Sequence, residues 1–306
     1  MEAGRGLIIF PGALGDLICL LPTIRALGQR YPTVAFELMA RVELARFAVQ
    51  RMKIVAGHSI DRGEVALLFS ERGAESSVAR KFFSLFDRIE CFFASDNERF
   101  CSSLRKAARG GVHFYPFRPS GLSHVADCYL SAIGADVMHP GDASIELVPD
   151  DLRNAQQRVR ALGLEPKSFI LILPGSGSAR KNWPAKSFAL LAERIQLSHR
   201  VLVALGPAEA RLAPIFHARS LLMTGNTELG ELAGLARLAC CFIGNDSGVS
   251  HLAAAAGGRG LVIFGPSDPQ RWRPLGDVKV IQKQPLESLL PDLVWPAVAD
   301  LIKTDQ

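Results

Sequence analysis

Five apolar runs punctuate the second half of the chain: FILIL (169–173), VLVAL (201–205), LLM (221–223), CCFIG (240–244) and LVIF (261–264). Each is apolar on both faces, as a strand must be when helices cover both sides of a parallel sheet. Between them SFALLAERI, EARLAPIF, ELGELAGLARLA and GVSHLAAAAG carry apolar residues near helical spacing. The alternation predicts a doubly wound α/β domain. The first half repeats the theme less cleanly. LIIF (7–10), VAFELMA (34–40), VALLF (65–69) and IECFF (89–93) read as strands. Leu17, Leu20, Leu21, Ile24 and Leu27 form a helical stripe in which Pro22 marks a kink or a fresh start.

HPGDASIELVPDD (139–151), rich in Pro, Gly and Asp, is the expected linker. The predicted architecture is α/β, with two Rossmann-like domains, residues 1–145 and 146–285, facing a central cleft. Residues 286–306 are expected to form an amphipathic helix pair that packs back on the first domain. Ligands of such folds bind beyond the carboxyl ends of the strands, here in the cleft.

Composition adds mainly exclusions. The 306 residues leave room for two cores, and 48% hydrophobic with 21% charged residues describes a globular chain. The longest apolar runs fall short of the ~20 residues of a membrane span. MEAGRGLIIF lacks the apolar core of a leader, so an unprocessed, cytoplasmic protein is expected. Cys19, Cys91, Cys101, Cys128, Cys240 and Cys241 form no C-x-x-C pair and share no spacing with histidine, so neither a metal site nor a disulfide framework is predicted. The net charge of +5 carries no basic block interleaved with aromatics, which argues against nucleic acid. It describes either a solvated, arginine-rich surface or attraction to an anionic substrate or membrane face. SSLRKAARGG (102–111), with Arg105, Lys106 and Arg109, is the candidate basic face.

Three stretches carry candidate chemistry. In LPGSGSARKNWP (173–184), Gly175, Ser176, Gly177 and Ser178 follow a buried strand, let the backbone approach a ligand and offer donors, while Lys181 adds a mobile cation. A plain turn would explain the glycines and serines; the lysine turns the loop into a diphosphate cradle. It is neither a Walker A loop nor a dinucleotide G-x-G-x-x-G turn. In GNDSGVSHLAAAAGG (244–258), Asp246 and Ser247 either cap the alanine-rich helix or, with Gly248 and His251, present its N-terminus to a diphosphate or to sugar hydroxyls. Glu209 stands just past a strand end, where an acid accepts from ribose hydroxyls or merely favours a helix dipole. GALGD (12–16) poses a different problem, because Asp16 is a poor neighbour for an anion at a glycine turn.

Together GALGDLICLLPTIRAL, PGSGSARKNWP, NDSGVSHLAAA and FGPSDP resemble glycosyltransferase family 9, the family of the ADP-heptose lipopolysaccharide heptosyltransferases, from about residue 7 to residue 275. The resemblance implies the GT-B fold and an inverting, metal-independent transfer of heptose from ADP-heptose, a co-substrate, with no cofactor. The acceptor would be an anionic lipid-linked saccharide, met by peripheral contact at the inner face of the inner membrane. It implies that Gly15 and Asp16 match the Gly-Asp whose aspartate is the general base, and that Lys181, Ser176 and Ser178 match the phosphate loop. Glu209 matches the ribose acid, Thr227 lies where the loop near the adenine begins, and Asp246, Ser247, Gly248 and His251 match the segment holding diphosphate and heptose. Two positions depart from the family: Phe10 stands where many members have Lys or Arg, and Leu173 where some have His. The alternatives are a different nucleotide sugar, or a non-catalytic nucleotide-sugar-binding protein; Asp16 turned away from the cleft and tied up in a helix cap would favour the latter.

Overall fold

A computed structural model of the chain describes residues 4–71, 73–135 and 141–303, which leaves His139 and Pro140 of the expected linker outside the described residues. The chain divides into two compact units, Met1–Asp142 and Ala143–Gln306.

The first unit holds a five-stranded parallel sheet of β1 (Gly4–Ile9), β2 (Val34–Ala40), β3 (Gly57–Ser59), β4 (Arg88–Cys91) and β5 (Gly111–Phe114), in the order β3-β2-β1-β4-β5. The helix after β1, Leu14–Arg30, runs through Pro22 as one element, so no fresh helix begins there. VALLF is not a strand. Gly63–Leu67 is a short helix, and Val65 and Leu68, three apart, turn into the core beside Phe83 and Phe86. β3 and β5 are short edge strands with partly exposed residues, which an apolar-run criterion passes over.

The second unit is a six-stranded parallel sheet of β6 (Phe169–Leu173), β7 (Arg200–Leu205), β8 (Leu222–Gly225), β9 (Cys241–Asn245), β10 (Gly260–Phe264) and β11 (Val278–Gln282), in the order β11-β10-β9-β6-β7-β8. Every residue of β6, β9 and β10 is buried, as expected where helices cover both faces. The tail is not a helix pair. It is one 3₁₀ turn, Leu286–Ser288, followed by one helix, Pro291–Lys303, and it packs within the second unit, against the Ala185–Ile195 helix and β10. Val294, Val298, Leu301 and Ile302 join Trp183, Phe188 and Ile263 in one apolar cluster. The second sheet offers an apolar surface that one face of this helix fills. Among the described residues, no helix is long and apolar enough to cross a membrane.

Candidate functional site

In the second unit the expected residues leave the carboxyl ends of four neighbouring strands. Asp246 and Ser247 follow β9, the Pro174–Trp183 loop follows β6, Glu209 follows β7, and Thr227 follows β8. Because the spatial order is β9-β6-β7-β8, the sheet itself sets these groups in a row. Three strand spacings separate its ends, about 14 Å.

Within the loop, Ser176 Oγ donates to Ser178 O at 2.7 Å and accepts from Ser178 N at 3.3 Å, a local serine turn that fixes the backbone. Gly177 is exposed and opens onto empty space. Lys181 closes a 3₁₀ turn, Ala179–Lys181. Its Nζ lies 2.7 Å from Asp246 Oδ2, joining the β6 and β9 loops by an ion pair. Asp246 Oδ2 is buried and takes no well-directed hydrogen bond, so the attraction there is charge on charge. The aspartate side chain is 5% exposed and the lysine 37%. The cation therefore reaches solvent while the anion does not.

Glu209 sits in the 3₁₀ turn Pro207–Leu212, its carboxylate laid over two glycines. A Cβ on Gly175 would meet its Cδ and Oε1 at 2.4 Å, and one on Gly206 its Oε2 at 2.7 Å. Glycine at both positions lets the carboxylate lie this close, and Gly175 brings the acid against the phosphate loop. Thr227 Oγ1 lies 3.4 Å from Thr224 Oγ1. Ser247 caps the Gly248–Ala255 helix, its Oγ accepting from Ser250 N at 3.4 Å. The capping alternative thus holds for Ser247, whereas Asp246 faces Lys181. His251 is buried one turn further on, with Gly248 opening the helix.

Gly15 and Asp16 belong to the first unit, in the opening turn of the Leu14–Arg30 helix. Asp16 Oδ2 accepts the Ala13 N–H at 3.1 Å, so the carboxylate does take part in a helix cap. That amide directs the carboxylate, and Asp16 remains partly exposed. Gly12 packs between Phe10 and Asp16: a Cβ there would meet the Phe10 ring at 2.4 Å and Asp16 Cβ at 2.7 Å. Phe10 itself is fully buried, edge-on to Phe92 (5.9 Å), Phe117 (5.5 Å) and Tyr129 (5.7 Å). The position where the resemblance leads one to expect a cation is here part of an aromatic core, and Leu173, 1% exposed, is equally a core side chain. Beside this turn, Pro11, Arg41, Glu43, Ile60, Asp61 and Phe93 line an open pocket of about 400 Å³ among the loops after β1 to β4. Among the described residues no group of three His, Cys, Asp or Glu is placed to hold a metal ion.

Sequence reasoning missed Asn245, the last residue of β9, which is wholly buried. An amide closing an otherwise apolar strand directly before Asp246 was the available signal.

A model of the family described as Glycosyltransferase family 9 (heptosyltransferase) matches residues 120–295, more than half of the chain. The chain belongs to this family. This family 9 glycosyltransferase is 28% identical over 287 residues to Lipopolysaccharide heptosyltransferase 3 of Escherichia coli (strain K12), covering 85% of this chain and 82% of that one. Its fold is similar to that of the glycosyl transferase family 9 from Veillonella parvula DSM 2008, with a TM-score of 0.81, 20% identity and 99% of each chain covered. It is similar also to the E. coli ADP-heptose lps heptosyltransferase II, with a TM-score of 0.75, 19% identity, and 98% of this chain and 99% of that one covered. The enzyme is thus a transferase of the heptosyltransferase family of lipopolysaccharide biosynthesis, and its two parallel-sheet domains are those of the GT-B fold.

Proposed function

We propose that this enzyme transfers heptose from ADP-heptose to a lipopolysaccharide inner-core acceptor, with inversion and without a metal or other cofactor. One observation carries the reading: the row of groups along the β9-β6-β7-β8 edge follows the order of parts in a nucleoside diphosphate sugar. Asp246, Gly248 and His251 stand at the sugar end, Lys181 with Ser176, Gly177 and Ser178 at the diphosphate, Glu209 at the ribose, and Thr227 at the base. Its length of about 14 Å suits an extended nucleotide. The name of the E. coli relative, an ADP-heptose heptosyltransferase, supports adenine and heptose as the donor's two ends.

The chemistry follows from the groups. Asp16 takes the proton of the acceptor hydroxyl as its oxygen attacks the anomeric carbon. The new C–O bond forms as the bond from that carbon to the phosphate oxygen breaks, and ADP leaves with the electron pair. The attack comes from the face opposite the leaving group, so configuration inverts. Lys181 and the free N–H groups opening the Gly248–Ala255 helix meet the charge that develops on ADP. Since Lys181 rests on Asp246, the diphosphate enters by drawing the cation outward from a pair already formed. The acceptor, a lipid-linked saccharide, is met from the first unit, at the pocket beside Pro11, with peripheral contact at the inner face of the inner membrane.

Calorimetry of ADP against UDP, GDP and NAD, followed by transfer from ADP-heptose to an inner-core acceptor in the presence of EDTA, tests the reading. ADP preference and EDTA-resistant transfer with an inverted product are expected. Preference for another nucleotide, a retained configuration or loss of transfer in EDTA would overturn it.

A further inference from the structure

Asn245 has no exposed surface with which to touch a donor, yet its side chain reaches both ends of the loop that would hold one. Its Oδ1 accepts the Trp183 N–H at 2.9 Å, and its Nδ2 donates to Pro174 O at 2.8 Å. The partners dictate the amide's orientation, since a backbone N–H meets only the oxygen and a backbone carbonyl only the nitrogen. Nδ2 also approaches Asn182 Oδ1 at 3.4 Å. The backbone carbonyl of Asn245 accepts from Ser250 Oγ at 2.7 Å, which ties in the first turn of the Gly248–Ala255 helix. Beyond the far end of the loop, the Trp183 indole is anchored in the core, with Nε1 donating to Leu289 O at 2.8 Å.

We infer that Asn245 is a positioning residue for donor binding, clamping the two ends of the Pro174–Trp183 loop so that Ser176, Gly177, Ser178 and Lys181 are already arranged when the diphosphate arrives. The inference rests on the reading of that loop as a diphosphate cradle. The clamp preorganises the loop. Eight residues lie between the clamped ends, among them Gly175, Gly177 and the serine turn of Ser176 and Ser178, and with the ends loose each would have to be ordered by the ligand at the expense of affinity. Asparagine suits the task because it supplies one acceptor and one donor from a single planar group. Aspartate supplies no donor to Pro174 O, and alanine supplies neither. The adjacent Asp246 completes the device by holding the loop's lysine, so two consecutive residues of one strand end govern the whole loop.

The test compares the full-length enzyme with Asn245→Ala, Asn245→Asp and, as a control for plain destabilisation, Val298→Ala in the same apolar core. ADP dissociation constants, donor and acceptor KM values and Tm are measured for each. Both Asn245 variants are expected to weaken ADP binding and raise donor KM by about tenfold or more, with acceptor KM unchanged. Val298→Ala is expected to lower Tm without moving donor KM. Unchanged ADP affinity in a folded Asn245 variant, or a donor KM that rises equally in Val298→Ala, would overturn the clamp. Hydrogen exchange on the wild-type enzyme does not depend on the variants folding: the Trp183 amide is expected to be protected without ligand, and fast exchange there would also overturn it. Failure of wild-type enzyme to bind ADP would instead overturn the proposed donor, and is read separately from the exchange result.

Discussion

Lys181 Nζ stands 2.7 Å from the buried Asp246 Oδ2, so the cation assigned to the donor's phosphates is held in place by an acid from the neighbouring strand end. Removing the lysine has two separable effects. Lys181→Ala is expected to weaken ADP binding at least tenfold and, by leaving a 5% exposed carboxylate unpaired, to cost about 1–3 kcal/mol of stability. The double variant Lys181→Ala/Asp246→Asn should recover the stability and not the binding. Calorimetry and thermal unfolding of the three proteins check this, and recovery of binding in the double variant would refute a phosphate role for Lys181.

Asp16 joins a structural bond to a chemical assignment, and the two can be separated. Asp16→Asn keeps an oxygen for the Ala13 N–H, so stability should hold within about 1 kcal/mol of wild type, while Asp16→Ala loses the cap as well. Both should retain ADP binding and lose transfer by about 10²–10⁴-fold, the range of general-base catalysis. Substantial transfer by Asp16→Asn would assign the carboxylate to capping alone.

Gly175 and Glu209 should couple. The Cβ of Gly175→Ala would fall 2.4 Å from the Glu209 carboxylate, which is the far end of a flexible chain and can swing away at little cost to folding. Donor KM is therefore expected to rise several-fold with little change in Tm. In the Glu209→Ala background the same substitution should add nothing, a non-additivity that a double-mutant cycle measures.

In the first unit, burial pushes the Glu37 carboxyl up, but hydrogen bonds from His58 (2.6 Å) and Arg5 (2.8 Å) outweigh it and hold the group below its ordinary 4.5. A carboxyl held low stabilises the fold above its unfolded pKa and loses that contribution as pH falls through its folded one. Thermal stability should therefore decline below about pH 4.5, and Glu37→Gln should flatten that acid limb while lowering stability at pH 7. An acid limb of unchanged slope in Glu37→Gln would show that other carboxyls govern it.

The proposed membrane contact has its own measurement. Arg105 lies over the Phe114 ring at 4.8 Å and Arg109 pairs with Asp87, yet both stay exposed alongside Lys106. Neutralising Arg105, Lys106 and Arg109 together should reduce sedimentation with anionic vesicles and leave neutral vesicles unaffected. Equal partitioning before and after would remove this face from consideration.

Much of this enzyme is legible in one dimension. The fully buried strands β6, β9 and β10 announce themselves because residues with no solvent on either face are apolar except where, as at Asn245, each polar atom finds a partner. The loops after them show their small and charged residues because backbone approach and charge are local properties. The weakly patterned pieces are not legible in that way: β3 and β5 are short edge strands, and the VALLF helix has an apolar run too short to separate period two from period three and a half. Tertiary structure alone decided that Pro291–Lys303 fills the second unit's core, that Phe10 lies among aromatic rings, and that Asn245 spans a loop beginning 71 residues before it. It also decided the order of the site, because strands distant in the chain become neighbours in the sheet: β9 beside β6 brings Asp246 to Lys181 across 65 positions of sequence. Residue type records what a side chain can do; only the pairing of strands determines which groups it can reach.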